Sequence, residues 1–407
     1  MVGVGNLISL FSARIGRGSQ IMSGQEFSQT VVIAAANSWD GVRMADRQLA
    51  ERLSRRAPVL YVDPPQSVVS RIRERGIGGL ARKPWLQRIG PGLARLSPEA
   101  LPGFARPVVA GANSRAIAAQ IRWAMGRLGG TIHSTVEANV LMPVMGRCGE
   151  RQRVYWAQDD FVGLAPLVGQ DPQAFARADE ALAGSADVII AANPSVADAL
   201  QSRGHPVRLI PFGCDDRHFG SAVAPATEVR LAGPMAVFMG HLGDRIDLDI
   251  LEAVAQSGVS LLVVGPFHPR TDSARFAAVL NRPNVQWVGE KAFEELPRYL
   301  AHADVGILPY NYSRFNIGSF PLKTLEYLAA AMPVVATALP AISWLGTEHI
   351  DIAEGPADFC AAVQSRLAQG RDAAGDANRR SFAARHSWAA RADEFAEALS
   401  LAPAARH

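Results

Sequence analysis

The chain has 407 residues, 48% of them hydrophobic, enough for two domains that each bury a core. Its 41 basic and 38 acidic residues leave a net charge of +3, far too small for a nucleic-acid binder. Cys148, Cys214 and Cys360 stand far apart with no Cys/His spacing that suggests a metal site or a disulfide framework, so no metal is expected and a reducing cytoplasm fits.

Residues 1–29 read as a disordered tail, with Met22 as an alternative start. The apolar run 7–11 is too short for a signal sequence, and Arg14 and Arg17 follow it rather than precede it. Residues 30–36 (TVVIAAA) then read as a buried strand, 42–55 as a helix and 59–62 as a strand ended by Pro64 and Pro65. Residues 66–107 are irregular, rich in Gly, Pro and Arg. A helix over 113–128, a short strand over 130–133 and a strand over 153–157 come next. A helix over 171–183, a strand over 186–191, a helix over 194–203 and a strand over 207–210 complete the first set. The Gly/Ala/Pro stretch 211–234 reads as a linker.

The rhythm then restarts, with strands over 236–239, 260–265, 285–288, 305–308 and 333–336, and helices over 248–256, 294–301 and 321–331. A final helical stretch over 376–399, anchored by Trp388, is expected to pack back on the first domain. Short β-branched runs alternating with Ala/Leu/Arg-rich helices predict two Rossmann-like, doubly wound α/β domains, 30–210 and 235–375, facing each other across a cleft. No apolar run is long enough to span a bilayer.

The segment 313–337 (SRFNIGSFPLKTLEYLAAAMPVVAT) is the richest in chemistry. Pro321 suits a helix start, and a helix N-terminus suits a phosphate. Lys323 in the first turn opposes the helix dipole, which an anion there would explain. Glu326 lies one turn on, placed either to hold ribose hydroxyls or simply to pair with Lys323 on the surface. Arg245, after the first strand of the second domain, is a further phosphate cation or a partner of Asp247 or Asp249. Gly240, Gly243 and Gly265 would let backbone approach a diphosphate, and the 289–291 loop with Glu290 would hold the base. No G-x-G-x-x-G follows a strand, which disfavours a dinucleotide-dependent oxidoreductase.

On the first domain, Asp159 and Asp160 follow a strand at its carboxyl end. Successive side chains there point opposite ways, so one is expected to face the cleft as a base and the other to cap the next turn. Asp40 in the first β–α loop is the rival base, and Trp39, His133, Asn316 and Gly318 are further cleft candidates.

The pattern P-x-K-x-x-E-Y-x-A-x-x-x-P-V-V resembles the donor-binding signature of GT-B glycosyltransferases. The likeness is closest to the branch that builds bacterial cell-surface polysaccharides, which includes teichuronic-acid-type transferases. Ser38-Trp39-Asp40, 155–161 (YWAQDDF), 209–215 (LIPFGCD), 237–249 and the run from Gly289 through Leu296 and Ala303-Asp304-Val305 to Pro309 are similar to further motifs of that branch, in order, over about 30–399. The resemblance implies a GT-B fold and transfer of a sugar from a nucleotide-sugar donor, with no other cofactor, to a glycan or lipid-linked acceptor. It implies that Glu326 holds the ribose and Lys323 the diphosphate. The chain departs from the pattern at Gly318, where retaining enzymes often carry the first of two glutamates eight positions apart; backbone N–H groups of 317–320 are then expected to serve the sugar. An epimerase of the same fold and a degenerate, non-catalytic domain are the competing classes.

Residues 71–95 hold seven basic residues and one acid among apolar ones. Through Arg71, Arg73, Arg82, Lys83, Trp85 and Arg88 the stretch is either a solvated loop or a contact with anionic lipid at the inner face of the plasma membrane.

Overall fold

Strand-length runs buried on both faces are what a parallel sheet requires, and the chain supplies two sets of them. A computed structural model describes residues 26–65, 85–102, 107–267 and 273–401. The first set forms β1 (Thr30–Ala34), β2 (Val59–Val62), β3 (Leu86–Gly90), β4 (Leu93–Leu96), β5 (Ile132–Glu137), β6 (Gln152–Ala157), β7 (Val188–Ala191) and β8 (Arg208–Leu209). Their order is β3-β4-β2-β1-β5-β6-β7-β8, parallel throughout except for the β3–β4 hairpin. The second set forms β9 (Met235–Met239), β10 (Ser260–Val264), β11 (Val285–Trp287), β12 (Val305–Leu308), β13 (Val334–Ala336) and β14 (Ile350–Ile352). These pair in the order β11-β10-β9-β12-β13-β14, all parallel. The strand order reverses beside β1 in one sheet and β9 in the other, which opens a crevice at the carboxyl ends of both.

Three departures from the sequence reading have local causes. The hairpin β3–β4 lies in the stretch read as irregular, because its Arg95 looks wrong for a buried strand. Arg95 is in fact buried, with Nε donating to Asp63 Oδ2 at 2.7 Å and Nη2 to Asp40 Oδ2 at 2.9 Å. Strand β5 runs on through Ser134, Thr135 and Glu137, all fully buried polar residues that break the apolar pattern. The C-terminal stretch is two helices, Ala373–Arg385 and Trp388–Ala398, divided where the Ser387 hydroxyl accepts the Ala390 N–H at 3.3 Å as an N-cap.

The first of these helices stays with the second sheet: Arg379 Nε donates to the Ala331 carbonyl at 2.7 Å. The second crosses over, and Trp388, Phe395 and Leu399 join Trp156 and Ile190 in the core of the first sheet. Each fully buried side chain of that size contributes about 1.5–3 kcal/mol. At the crossing the chain runs beside 213–215, where Cys214 N–H donates to the His386 carbonyl and Trp388 N–H to the Cys214 carbonyl. Gly213 is required there, since a Cβ would sit 2.6 Å from the Trp388 nitrogen. The stretch 211–234 contributes no strand to either sheet and carries only the short helix Asp216–Phe219.

Candidate functional site

The two rows of strand ends meet around β6. Asp160 N-caps the turn Phe161–Leu164 through Gly163 N–H at 3.0 Å. It also pairs across the crevice with Arg314, whose Nε lies 2.6 Å from Asp160 Oδ2. Asp159 accepts a hydrogen bond from Ser319 Oγ of the second domain at 3.1 Å. Desolvation pushes the Asp159 carboxyl up to about 6, against the pull of Arg245 and Ser319, with Asp160 adding to the rise. So Asp160 is the member of the pair that caps the next turn, and Asp159 is a carboxylate poised near neutrality, while both touch the second domain.

Two further contacts lock this junction. Asn193, fully buried at the end of β7, donates from Nδ2 to the Ser319 carbonyl at 2.5 Å. Gly318 lies against Asp160, and a Cβ at 318 would be 2.4 Å from Asp160 Cβ. The place where related patterns carry a glutamate has no room for any side chain while the domains stand this close. Neither Ser319 nor Asn193 was legible as a site residue. Asn193-Pro194 announces only the N-cap that it makes for the helix Pro194–Ser202.

On the second domain, glycines bring three strand ends within backbone contact. Gly240 N–H bonds to the Val264 carbonyl at 2.9 Å and Gly265 N–H to that of Gly289 at 2.9 Å. Gly265 has φ of +141°, and a Cβ there would sit 1.9 Å from the Gly240 oxygen, so no other residue fits. Exposed Trp287 donates its indole N–H to the Gly265 carbonyl at 2.9 Å, and Glu290 is exposed one residue beyond Gly289. Arg245 makes no direct ion pair among the described residues, although its charge acts on Asp159. Asp247 instead caps the helix Leu248–Gln256, and Asp249 pairs with Arg275. The Arg245 guanidinium lies 5.0 Å from the Tyr310 ring and 4.8 Å from Phe315, and its Nε donates to Asn316 Oδ1 at 2.7 Å. Lys323 Nζ and Glu326 Oε2 are 2.7 Å apart, but this is no surface pair, because Glu326 is buried. An ammonium has three donors, so Lys323 can serve Glu326 and a phosphate together.

Several sequence expectations need correction. The helix starts at Lys323, not Pro321, and the N–H groups of Thr324 and Leu325 already bond to Pro321 and Leu322 carbonyls. Likewise the amides of Ile317, Gly318 and Ser319 are spent within their own turn. The amides of Phe320 and Lys323 have no acceptor among the described residues. His133 sits at the amino end of β5, away from the crevice, bonded to the Leu399 carbonyl at 2.8 Å. Trp39 is buried, edge-on to Tyr61 at 5.0 Å and under the Arg47 guanidinium, rather than lining the cleft. Asn316 is fully buried, with Nδ2 donating to the Arg245 and Asn311 carbonyls; it positions Arg245 and does not face a ligand. Asp40 is committed to Arg95. Of the proposed lipid-contact residues, Arg71, Arg73, Arg82 and Lys83 lie outside the described residues. Trp85 stacks on Trp123 at 4.6 Å and Arg88 pairs with Glu26.

Two Rossmann-like sheets facing each other across a cleft, with cations and glycines on one side and a carboxylate on the other, are the GT-B arrangement. The second domain is a glycosyl transferase domain, since residues 233–369 match the family described as Glycosyl transferases group 1. Among individual proteins, the chain is similar to the putative teichuronic acid biosynthesis glycosyltransferase TuaH of Bacillus subtilis (strain 168). The two are 35% identical over 156 residues, 37% of this chain and 39% of that protein. The match thus spans about two fifths of the curated relative's length. Sucrose-phosphate synthase from Thermosynechococcus elongatus has a similar fold, with TM-score 0.68 and 19% identity over 91% of this chain and 98% of that one. So does Anabaena Alr3699/HepE in complex with UDP-glucose, with TM-score 0.62 and 14% identity over 91% of this chain and 99% of that one.

Proposed function

We propose that the protein is a glycosyltransferase that moves a sugar from a nucleotide-sugar donor to a glycan or lipid-linked acceptor in cell-envelope polysaccharide synthesis, without a divalent metal. The observation that carries this reading is Asp159, a desolvated carboxylate of the first domain, hydrogen-bonded to the loop that leads into Lys323 and Glu326 of the second. Gly240, Arg245, Gly265, Glu290, Lys323 and Glu326 all fall within the matched transferase domain, which supports donor binding there over epimerase or scaffold roles. The name of the Bacillus relative supports the polysaccharide setting.

In this reading Glu326 holds the ribose hydroxyls, and Lys323 and Arg245 meet the diphosphate charge. The acceptor oxygen bonds to the anomeric carbon as the bond from that carbon to the phosphate oxygen breaks. Its proton passes to Asp159, and the nucleoside diphosphate leaves against Lys323 and Arg245. Lys323→Ala and Glu326→Ala are each expected to weaken nucleotide-sugar binding by about 1.5–3 kcal/mol, the range for a charge-assisted contact. Calorimetry showing both variants binding every tested nucleotide sugar like the parent would place the donor elsewhere. Because two cations serve the diphosphate, turnover is expected to persist in EDTA; loss of turnover that Mn²⁺ or Mg²⁺ restores would contradict metal independence. No helix among the described residues is long and apolar enough to cross a membrane, so meeting a lipid-linked acceptor would require contact at the inner membrane face.

A further inference from the structure

The helix Pro107–Leu128 is 22 residues long and contains no Asp or Glu. Ile117, Ile121 and Met125 bury one side of it against the first sheet. On a 3.6-residue period the exposed positions gather into one arc. Ala112, Ala116, Ala119 and Trp123 run down its centre, with Arg115 and Arg122 on one flank and Arg127 on the other. Trp123 is 40% exposed and stacks on Trp85, which widens the aromatic patch. Arg122 donates to the Arg147 carbonyl, bringing an exposed fourth arginine alongside.

Among the described residues none of these four arginines is within ion-pair distance of a carboxylate, and Arg122 is held by a backbone carbonyl instead. Two carboxylates lie on neighbouring segments: Glu99, a half-buried residue whose backbone is tied to the Gln120 side chain at 2.9 Å, and Glu150, which accepts the backbone N–H groups of Gly146 and Cys148 on either side of Arg147. A helix face turned to water ordinarily mixes acids with its bases. This face has instead a weakly apolar centre with an indole and arginines on both edges. A protein partner would have to bring a matching carboxylate for each arginine. A bilayer of anionic lipid offers phosphates to the guanidinium forks and an interface where an indole resides.

We propose that the exposed face of Pro107–Leu128 docks on an anionic lipid bilayer, with Trp123 at headgroup depth and Arg115, Arg122 and Arg127 on lipid phosphates. The inference deepens the membrane-facing part of the transferase reading and rests on it. It moves the contact from the 71–95 stretch to a folded helix.

Vesicle flotation tests it, using phosphatidylcholine vesicles with and without phosphatidylglycerol. The parent protein is expected to float only with the anionic vesicles at low ionic strength. It should be released at 1 M salt, where the Debye length falls to about 3 Å. The triple variant Arg115→Glu/Arg122→Glu/Arg127→Glu is expected to lose flotation by at least about tenfold, since each basic residue contributes separately. Trp123→Ser should reduce it several-fold. A parent that fails to float, or a triple variant that floats like the parent, overturns the lipid surface. Nucleotide-sugar binding by the same samples, expected to be equal in parent and triple variant, keeps the two readings apart. A parent that floats yet binds no nucleotide sugar overturns the transferase reading alone.

Discussion

Asp159→Asn is expected to reduce kcat by about 10²–10⁴-fold, the usual contribution of a positioned general base, while nucleotide-sugar binding stays within a factor of about two of the parent. Asn keeps the size of Asp and can still meet the Ser319 hydroxyl, so the junction stays closed and only the proton acceptor is lost. The pH profile gives an independent reading. Asp159 accepts a proton only when ionised, and burial has raised it to about 6, with Arg245, Ser319 and Asp160 as the groups that face it. Turnover by the parent should therefore fall as pH drops through about 6. Ser319→Ala removes a hydrogen bond that favours the charged carboxylate, so it should move the acid limb upward. Unchanged turnover in Asp159→Asn, or an acid limb that does not move in Ser319→Ala, would assign the base elsewhere.

Gly318→Ala should be the second large effect. Its Cβ would stand 2.4 Å from Asp160 Cβ, an atom fixed by the backbone of the N-cap. Something must shift, and the mobile partner is the 318–320 loop, which carries both the Ser319–Asp159 and the Asn193–Ser319 contacts. A displacement of about 1 Å at reacting groups costs on the order of 10²-fold, and that is the expected loss in kcat/KM. The domains remain folded, because neither sheet is touched, so circular dichroism should match the parent. Normal activity in Gly318→Ala would mean that the closed junction is not the working geometry.

The parts of this fold legible in the sequence were those decided by local pattern. Strands β2 and β12 and the helix Leu248–Gln256 fall where apolar runs and periodicity placed them, since the strands are buried end to end and the helix buries one face through Ile250, Leu251, Val254 and Ala255. The hairpin β3–β4 and the far end of β5 were hidden because their buried polar residues are satisfied by distant partners. Arg95 needs Asp63, 32 residues earlier, and Glu137 needs the amides of Val144 and Met145. Within the site, strand alternation anticipated that one of the two aspartates would cap the next turn, but not that both would reach the second domain. The Asn193–Ser319 contact spans 126 residues of chain, so no local signal can announce it. Gly318 reads in sequence as a missing glutamate. In the folded chain it packs directly against Asp160 of the other domain, a meaning that needs Asp160 in view.

A thermal-shift screen against UDP-, GDP- and dTDP-sugars tests the central claim most directly, since a ligand that binds only the folded protein raises its stability by mass action. At a concentration of 100 Kd the correct donor should add about 2.7 kcal/mol. The predicted result is a raised midpoint with the sugars of one nucleotide, diminished in both Lys323→Ala and Glu326→Ala. A midpoint unmoved by all three classes of donor, for protein shown to be folded, would contradict the account.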